Sequence, residues 1–126
     1  MNNARQLVEN WLKTQGFRST VDSDGDLSFR YEGLPMFCSN DDNDPLFLRV
    51  FMPGIYTVEG DREKVLEAIS KINREIKAVK TFLIEDHLWV SLEMFVDSTP
   101  DIDDFIERCL DILVASVKRI AGEILN

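Results

Sequence analysis

Two segments of this sequence, Leu46 to Met52 and Leu88 to Val96, alternate as strands do, yet each is apolar on both of its sides. Successive side chains of a strand point to opposite faces of a sheet, so Leu46, Leu48, Val50 and Met52 share one side while Phe47, Arg49 and Phe51 share the other. In the second segment Leu88, Val90, Leu92, Met94 and Val96 stand opposite Trp89, Ser91, Glu93 and Phe95. One side of the sheet is therefore a purely aliphatic core face. The other mixes aromatic rings with charge and needs a cover: a helix of the same chain, a second subunit or a bound peptide. With a regular pleat, Phe37 and Phe82 join that aromatic side.

The rest of the pattern places helices around these strands. Ala4, Leu7, Val8 and Trp11 form a helical stripe within Asn3 to Gln15, and Gly16 is placed to cap its end. Short alternating runs come next at Phe17 to Asp22, Leu27 to Glu32 and Leu34 to Asn40, an antiparallel meander. Asp24-Gly25, read as a two-residue hairpin turn, and Glu32-Gly33 separate these runs. Pro45 opens the strand that Pro53-Gly54 closes. Asp61 is a cap for a second helix carrying Val65, Leu66, Ile69, Ile72 and Ile76. A strand from Val79 to Ile84 turns at Glu85-Asp86-His87 into the second two-sided segment. Ser98-Thr99-Pro100-Asp101 then reads as the start of a final helix through Ile124, roughly 35 to 40 Å long at 1.5 Å per residue.

At 126 residues the chain is expected to be a single domain, residues 1–126. Fourteen Lys and Arg against 23 Asp and Glu give a formal charge of -9, which repels phosphate backbones and anionic lipid. Neither nucleic acid nor membrane is therefore expected as a partner, and a basic partner is favoured. Met1 to Leu12 has no continuous apolar run of the signal-peptide kind, and nothing reaches the length of a membrane span. Cys38 and Cys109 lie in predicted elements with no metal-ligand spacing and read as buried free thiols, which points to a cytoplasmic protein.

Reaction chemistry has no starting point here, and no cofactor or metal is expected. The oxygen-rich stretches at Asp22, Asp24 and Asp26 and at Asn40 to Asp44 lack the glycine position and distal glutamate of an EF-hand loop and read as solvated turns. His87 sits in a turn between strands, where a cleft is seldom built. Cys109 lies on the apolar stripe of the last helix, where a thiol is inert. Neither a phosphate-binding glycine loop nor a zinc-protease helix nor a nucleophile elbow is found.

The order helix, meander, helix, hairpin, helix resembles the type III secretion chaperone fold and the related YbjN family of chaperone-like bacterial proteins. The likeness covers nearly the whole chain. It is carried by the Gly16-Phe17 start of the meander, the Asp24-Gly25-Asp26 turn, and Ile72-Asn73 with Lys77 and Lys80 leading into the next strand. The resemblance implies a non-catalytic, acidic, often dimeric protein that holds a segment of another polypeptide against apolar patches.

The expected fold is thus α+β, in the order α-β(3-4)-α-β-β-α, with the aliphatic face of a twisted, mainly antiparallel sheet packed on the first and last helices. The expected function is binding of a partner's peptide segment through an apolar sheet or helix surface, with strand addition at a sheet edge as one mode. Trp11, Phe37, Phe47, Phe51 and Trp89 are the candidate binding residues, and a homodimer is expected. A second reading is a small-molecule-sensing regulatory module with a pocket between the sheet and the second helix.

Overall fold

The first helix starts where the sequence supplies a reciprocal cap. In the computed structural model, which describes residues 3–97 and 101–125, the Asn3 side chain accepts from the Gln6 backbone N–H at 2.9 Å. Gln6 Oε1 in turn accepts from the Asn3 N–H at 2.9 Å. Helix α1 (Ala4–Thr14) ends as Gly16 adopts φ +83° and the Phe17 N–H bonds back to the Leu12 carbonyl at 2.9 Å. The Ala4 N–H also donates to the Pro45 carbonyl at 2.9 Å, which ties the helix to the start of a strand 41 positions later.

The meander forms β1 (Ser19–Val21), β2 (Leu27–Tyr31) and β3 (Leu34–Cys38). Glu32 and Gly33 both take positive φ, 52° and 78°, as the two-residue turn between β2 and β3 demands. The β1–β2 connection differs from the expected two-residue turn. Asp22 N–H bonds to the Asp26 carbonyl at 2.9 Å, leaving a three-residue loop with Gly25 at φ +87°. The Asp22 carboxylate accepts from the N–H groups of Asp24 and Asp26, which stabilises the longer loop. A side chain at Gly25 would stand 2.9 Å from the Asn40 amide.

Strand β4 (Phe47–Thr57) does not stop at Pro53-Gly54 as the sequence pattern suggests. It shifts register between Met52 and Tyr56 and continues, pairing Tyr56 with Leu88 and Thr57 with His87. A bulge accommodates the proline and glycine without ending the strand. Helix α2 (Arg62–Glu75), β5 (Val79–Ile84) and β6 (His87–Phe95) come after it. The six strands form one antiparallel sheet in the order β1-β2-β3-β4-β6-β5.

The predicted helix start at Ser98-Thr99-Pro100 lies outside the described residues. A 3₁₀ turn (Ile102–Asp104) precedes helix α3 (Ile106–Leu125), which has 20 residues and is about 30 Å long, shorter than the sequence estimate. The chain leaves helical geometry at Phe105, φ −138°, while Ile102 is buried beside α1.

Helices α1, α2 and α3 all pack on one side of the sheet. Leu48, Val50, Met52, Leu88, Val90 and Leu92 point into this core, where they meet Val8 and Leu12 of α1, Val65 and Ile72 of α2, and Ile106, Leu110 and Leu113 of α3. Each such side chain contributes roughly 1.5 to 3 kcal/mol on burial, so the aliphatic face dominates the stability of the fold. The Tyr31 hydroxyl donates to Asp111 at 2.6 Å and fastens β2 to α3. Cys38 and Cys109 are free and buried, and burial pushes the Cys38 thiol up to about 12.

Candidate functional site

The opposite side of the sheet carries the aromatic residues, and no helix among the described residues lies over it. The strand register aligns Thr20, Ser28, Phe37, Phe51, Ser91 and Lys80 in one row across all six strands. Phe82 and Trp89 pair in the next row. Their rings form a continuous ladder: Phe37 to Phe51 at 5.6 Å, Phe51 to Trp89 at 5.6 Å and Trp89 to Phe82 at 6.1 Å between centroids. Offset stacking at these distances is favourable beyond the area it covers. The rings are half-buried because they cover one another. Phe47 and Phe95 form a second pair, 5.5 Å apart, toward one end of the face, where Phe95 is 75% exposed.

Charge is threaded among the rings. The Arg49 guanidinium lies 4.8 Å from the Phe51 ring centroid and the Lys80 ammonium 5.4 Å from that of Phe82. Both cations reach Glu93, at 3.6 and 3.3 Å, and the Ser91 hydroxyl donates to the same carboxylate at 2.8 Å. The polar members of the face are therefore held in fixed positions beside the rings. At the β1–β2–β3 end, a shallow groove of about 520 Å³ is lined by Arg18, Thr20, Ser28, Arg30, Pro35 and Phe37, so its floor runs directly into the ladder.

Four of the five candidate residues, Phe37, Phe47, Phe51 and Trp89, come together on this face. Trp11 does not. It is 7% exposed on the helix side, where its ring stacks 6.1 Å from Phe17, because the α1 stripe that carries it is the stripe that faces the core. Phe82, Phe95, Arg49 and Lys80 were reachable from strand parity, whereas the stacking of rings from four separate strands depends on a register that parity does not give.

One of the two sheet edges, β5, is partly closed. β5 is an edge strand, but the Asn73 side chain of α2 accepts from the Thr81 N–H at 2.7 Å and donates to the Thr81 carbonyl at 3.0 Å. This occupies the outward backbone groups of one residue of the β5 edge, through which an added strand would pair. Among the described residues Val65, Ala68, Ile72 and Thr81 are buried where α2 meets the sheet, which does not favour the small-molecule-sensing reading.

The remaining polar clusters serve the fold. Asp61 stands at the start of α2 but makes no side-chain cap; its carboxylate receives the Tyr56 hydroxyl and the Glu59 N–H, and these bonds lower its pKa. Asp26 accepts from the Asn40 N–H at 2.8 Å, and Asn40 Oδ1 accepts from the Asn3 amide at 2.7 Å, so the two acidic loops are joined to each other and to α1. His87 is exposed, with Nδ1 at 3.3 Å from the Thr57 hydroxyl. No described helix is long and apolar enough to cross a membrane.

Comparison with known proteins agrees with this architecture. No curated protein sequence matches the chain significantly. Among solved structures, YbjN from E. coli superposes with a TM-score of 0.68 at 16% identity, over 93% of this chain and 88% of that one. A crystal structure of an uncharacterized protein from Methanothermobacter thermautotrophicus gives 0.64 at 15% identity, over 94% and 95%. At such identities the likeness is one of fold. The family model TY-Chap1, described as T3SS (YopN, CesT) and YbjN peptide-binding chaperone 1, matches residues 2–124, and the chain belongs to that family.

Proposed function

We propose that this protein is a non-catalytic, chaperone-like binder that holds a peptide segment of a partner protein on the aromatic face of its sheet. The observation that carries the reading is the Phe37-Phe51-Trp89-Phe82 ladder, a continuous aromatic surface on the side of the sheet that the helices leave open. The family's description as peptide-binding chaperones supports it. Side chains of an incoming segment would complete the burial that the rings begin among themselves, and covering three or four large apolar groups supplies several kcal/mol toward association. With Thr81 bonded to Asn73, the face and not the β5 edge is the route to binding.

The test is selection from a displayed library of random 12-residue peptides, followed by titration of the selected peptides against Trp89→Asp and Phe51→Asp variants. Leu66→Asp, at an exposed position on α2, serves as the control. Peptides should bind the parent and the control but neither face variant, with all circular-dichroism spectra unchanged. Retained binding by both face variants would refute the proposal.

A further inference from the structure

We infer that the segment held on the aromatic face carries acidic residues on one side of its apolar residues, and that these seat over Arg18 and Arg30. The inference rests on the peptide-binding reading above and specifies the chemistry of the peptide. Its basis is a local charge balance opposite in sign to that of the whole chain. The net charge is -9. Yet the outward-facing charged residues within the strands are Arg30, Arg49, Lys80 and Glu93, with Arg18 directly before β1.

Glu93 is engaged by both Arg49 and Lys80. Arg30 reaches only the Gly33 carbonyl, at 3.2 Å, and neither Arg18 nor Arg30 has a carboxylate partner among the described residues. Both border the groove of about 520 Å³ that opens onto Phe37, the first ring of the ladder. Guanidinium groups beside hydroxyls, here Thr20 and Ser28, suit carboxylate oxygens, and the adjoining Pro35 and Phe37 suit an apolar neighbour in the same segment.

Two further features fix the direction and the kind of occupant. Beyond the far end of the face, Phe95 borders a cleft at the end of β6 that Asp101 and Asp104 also line. An acidic stretch is repelled there and attracted at the Arg18 and Arg30 end, so the bound segment has a preferred orientation. The carboxylates of the flanking turns, Asp22, Asp24, Asp26 and Glu32, are not among the residues that line the groove. A second copy laid face to face would oppose one cationic sheet surface to another, which disfavours self-pairing and favours a different polypeptide.

The library selection also decides this inference. The selected pool should be enriched in Asp and Glu clustered to one side of aromatic or aliphatic residues. An Arg18→Glu/Arg30→Glu double variant should bind the best acidic peptide about tenfold or more weakly, and should gain affinity for its Lys-substituted counterpart. Raising the salt concentration should weaken the parent complex. An apolar pool without acidic enrichment, or affinities indifferent to the charge reversal, would overturn the inference while leaving peptide binding in place. Peptides that still bind Trp89→Asp would overturn both, and a parent dimer that dissociates on Trp89→Asp would assign the face to a second copy instead.

Discussion

Replacing Asn73 by Ala tests whether the α2 side chain closes the sheet edge, because two effects of opposite sign compete. Asn73 makes three bonds to Thr81: to its N–H at 2.7 Å, its carbonyl at 3.0 Å and its hydroxyl at 2.9 Å. Thr81 is only 2% exposed, so its groups cannot turn fully to water when the amide is removed. At about 1 kcal/mol net for each bond the loss would approach 3 kcal/mol; water entering from the exposed side of α2 reduces this to about 2. Alanine is the better helix former by about 0.6 kcal/mol, which leaves a net loss of about 1.5 kcal/mol. That corresponds to a Tm drop of about 6 °C in a domain of this size. Urea unfolding monitored by circular dichroism should show a lower midpoint at unchanged slope. The sign decides the matter: if the bonds contribute nothing, the propensity gain makes Asn73→Ala more stable than the parent. With Thr81 freed, sedimentation velocity should also show concentration-dependent association of the variant through β5.

Phe95→Ser should change stability by less than about 0.5 kcal/mol, because the ring is 75% exposed, yet weaken binding of the selected peptides; equal affinity for the two proteins would separate Phe95 from the site. Tyr31→Phe removes the 2.6 Å bond to Asp111 and should cost about 1 kcal/mol in urea unfolding, with a negligible change showing that β2 and α3 are held by apolar contact alone. Burial raises Cys38 to about 12, so its proton is held more tightly in the native state than in the unfolded one, and its contribution is full below about pH 9 and falls away between about pH 9 and 12. Cys38→Ala should flatten the decline of the urea midpoint across that window, and an unchanged pH profile would count against a buried neutral thiol. Tyr56→Phe should move the Asp61 carboxyl back up toward its ordinary value in an NMR titration, since the tyrosine hydroxyl is the largest cause of its lowering.

The features legible in the sequence and those hidden from it divide along one physical line. Strand parity is local: alternation alone separates Leu48, Val50 and Met52 from Phe47 and Phe51, and the structure keeps that division. Turn chemistry is nearly as local, although Asp24-Gly25 reads one residue too short because the Asp22 carboxylate, not the glycine alone, sets the loop. Trp11, chosen as a candidate binding residue, lies instead on the α1 stripe that is turned to the core, where it is 7% exposed. An apolar helical stripe is the face that seeks the core, and a large ring on it is spent there and not on a binding surface. By contrast, the bulge that carries β4 past Pro53 depends on pairing with a strand more than 30 residues later.

Charge obeys the same logic. The total of -9 suggests a basic partner, but a sum over the chain discards position. The parity that collects Phe37, Phe51 and Phe82 on one side also collects Arg30, Arg49 and Lys80 there, so the cationic character of the aromatic face is present in the alternation. Only the helices' choice of side determines whether those charges meet the core or solvent. Because α1, α2 and α3 all go to the aliphatic side, aromatic rings and cations are left together on the open one. Rings alone would accept any apolar segment. On the proposed binding mode, Arg18 and Arg30 at one end and Asp101 and Asp104 at the other would give a bound peptide one preferred direction.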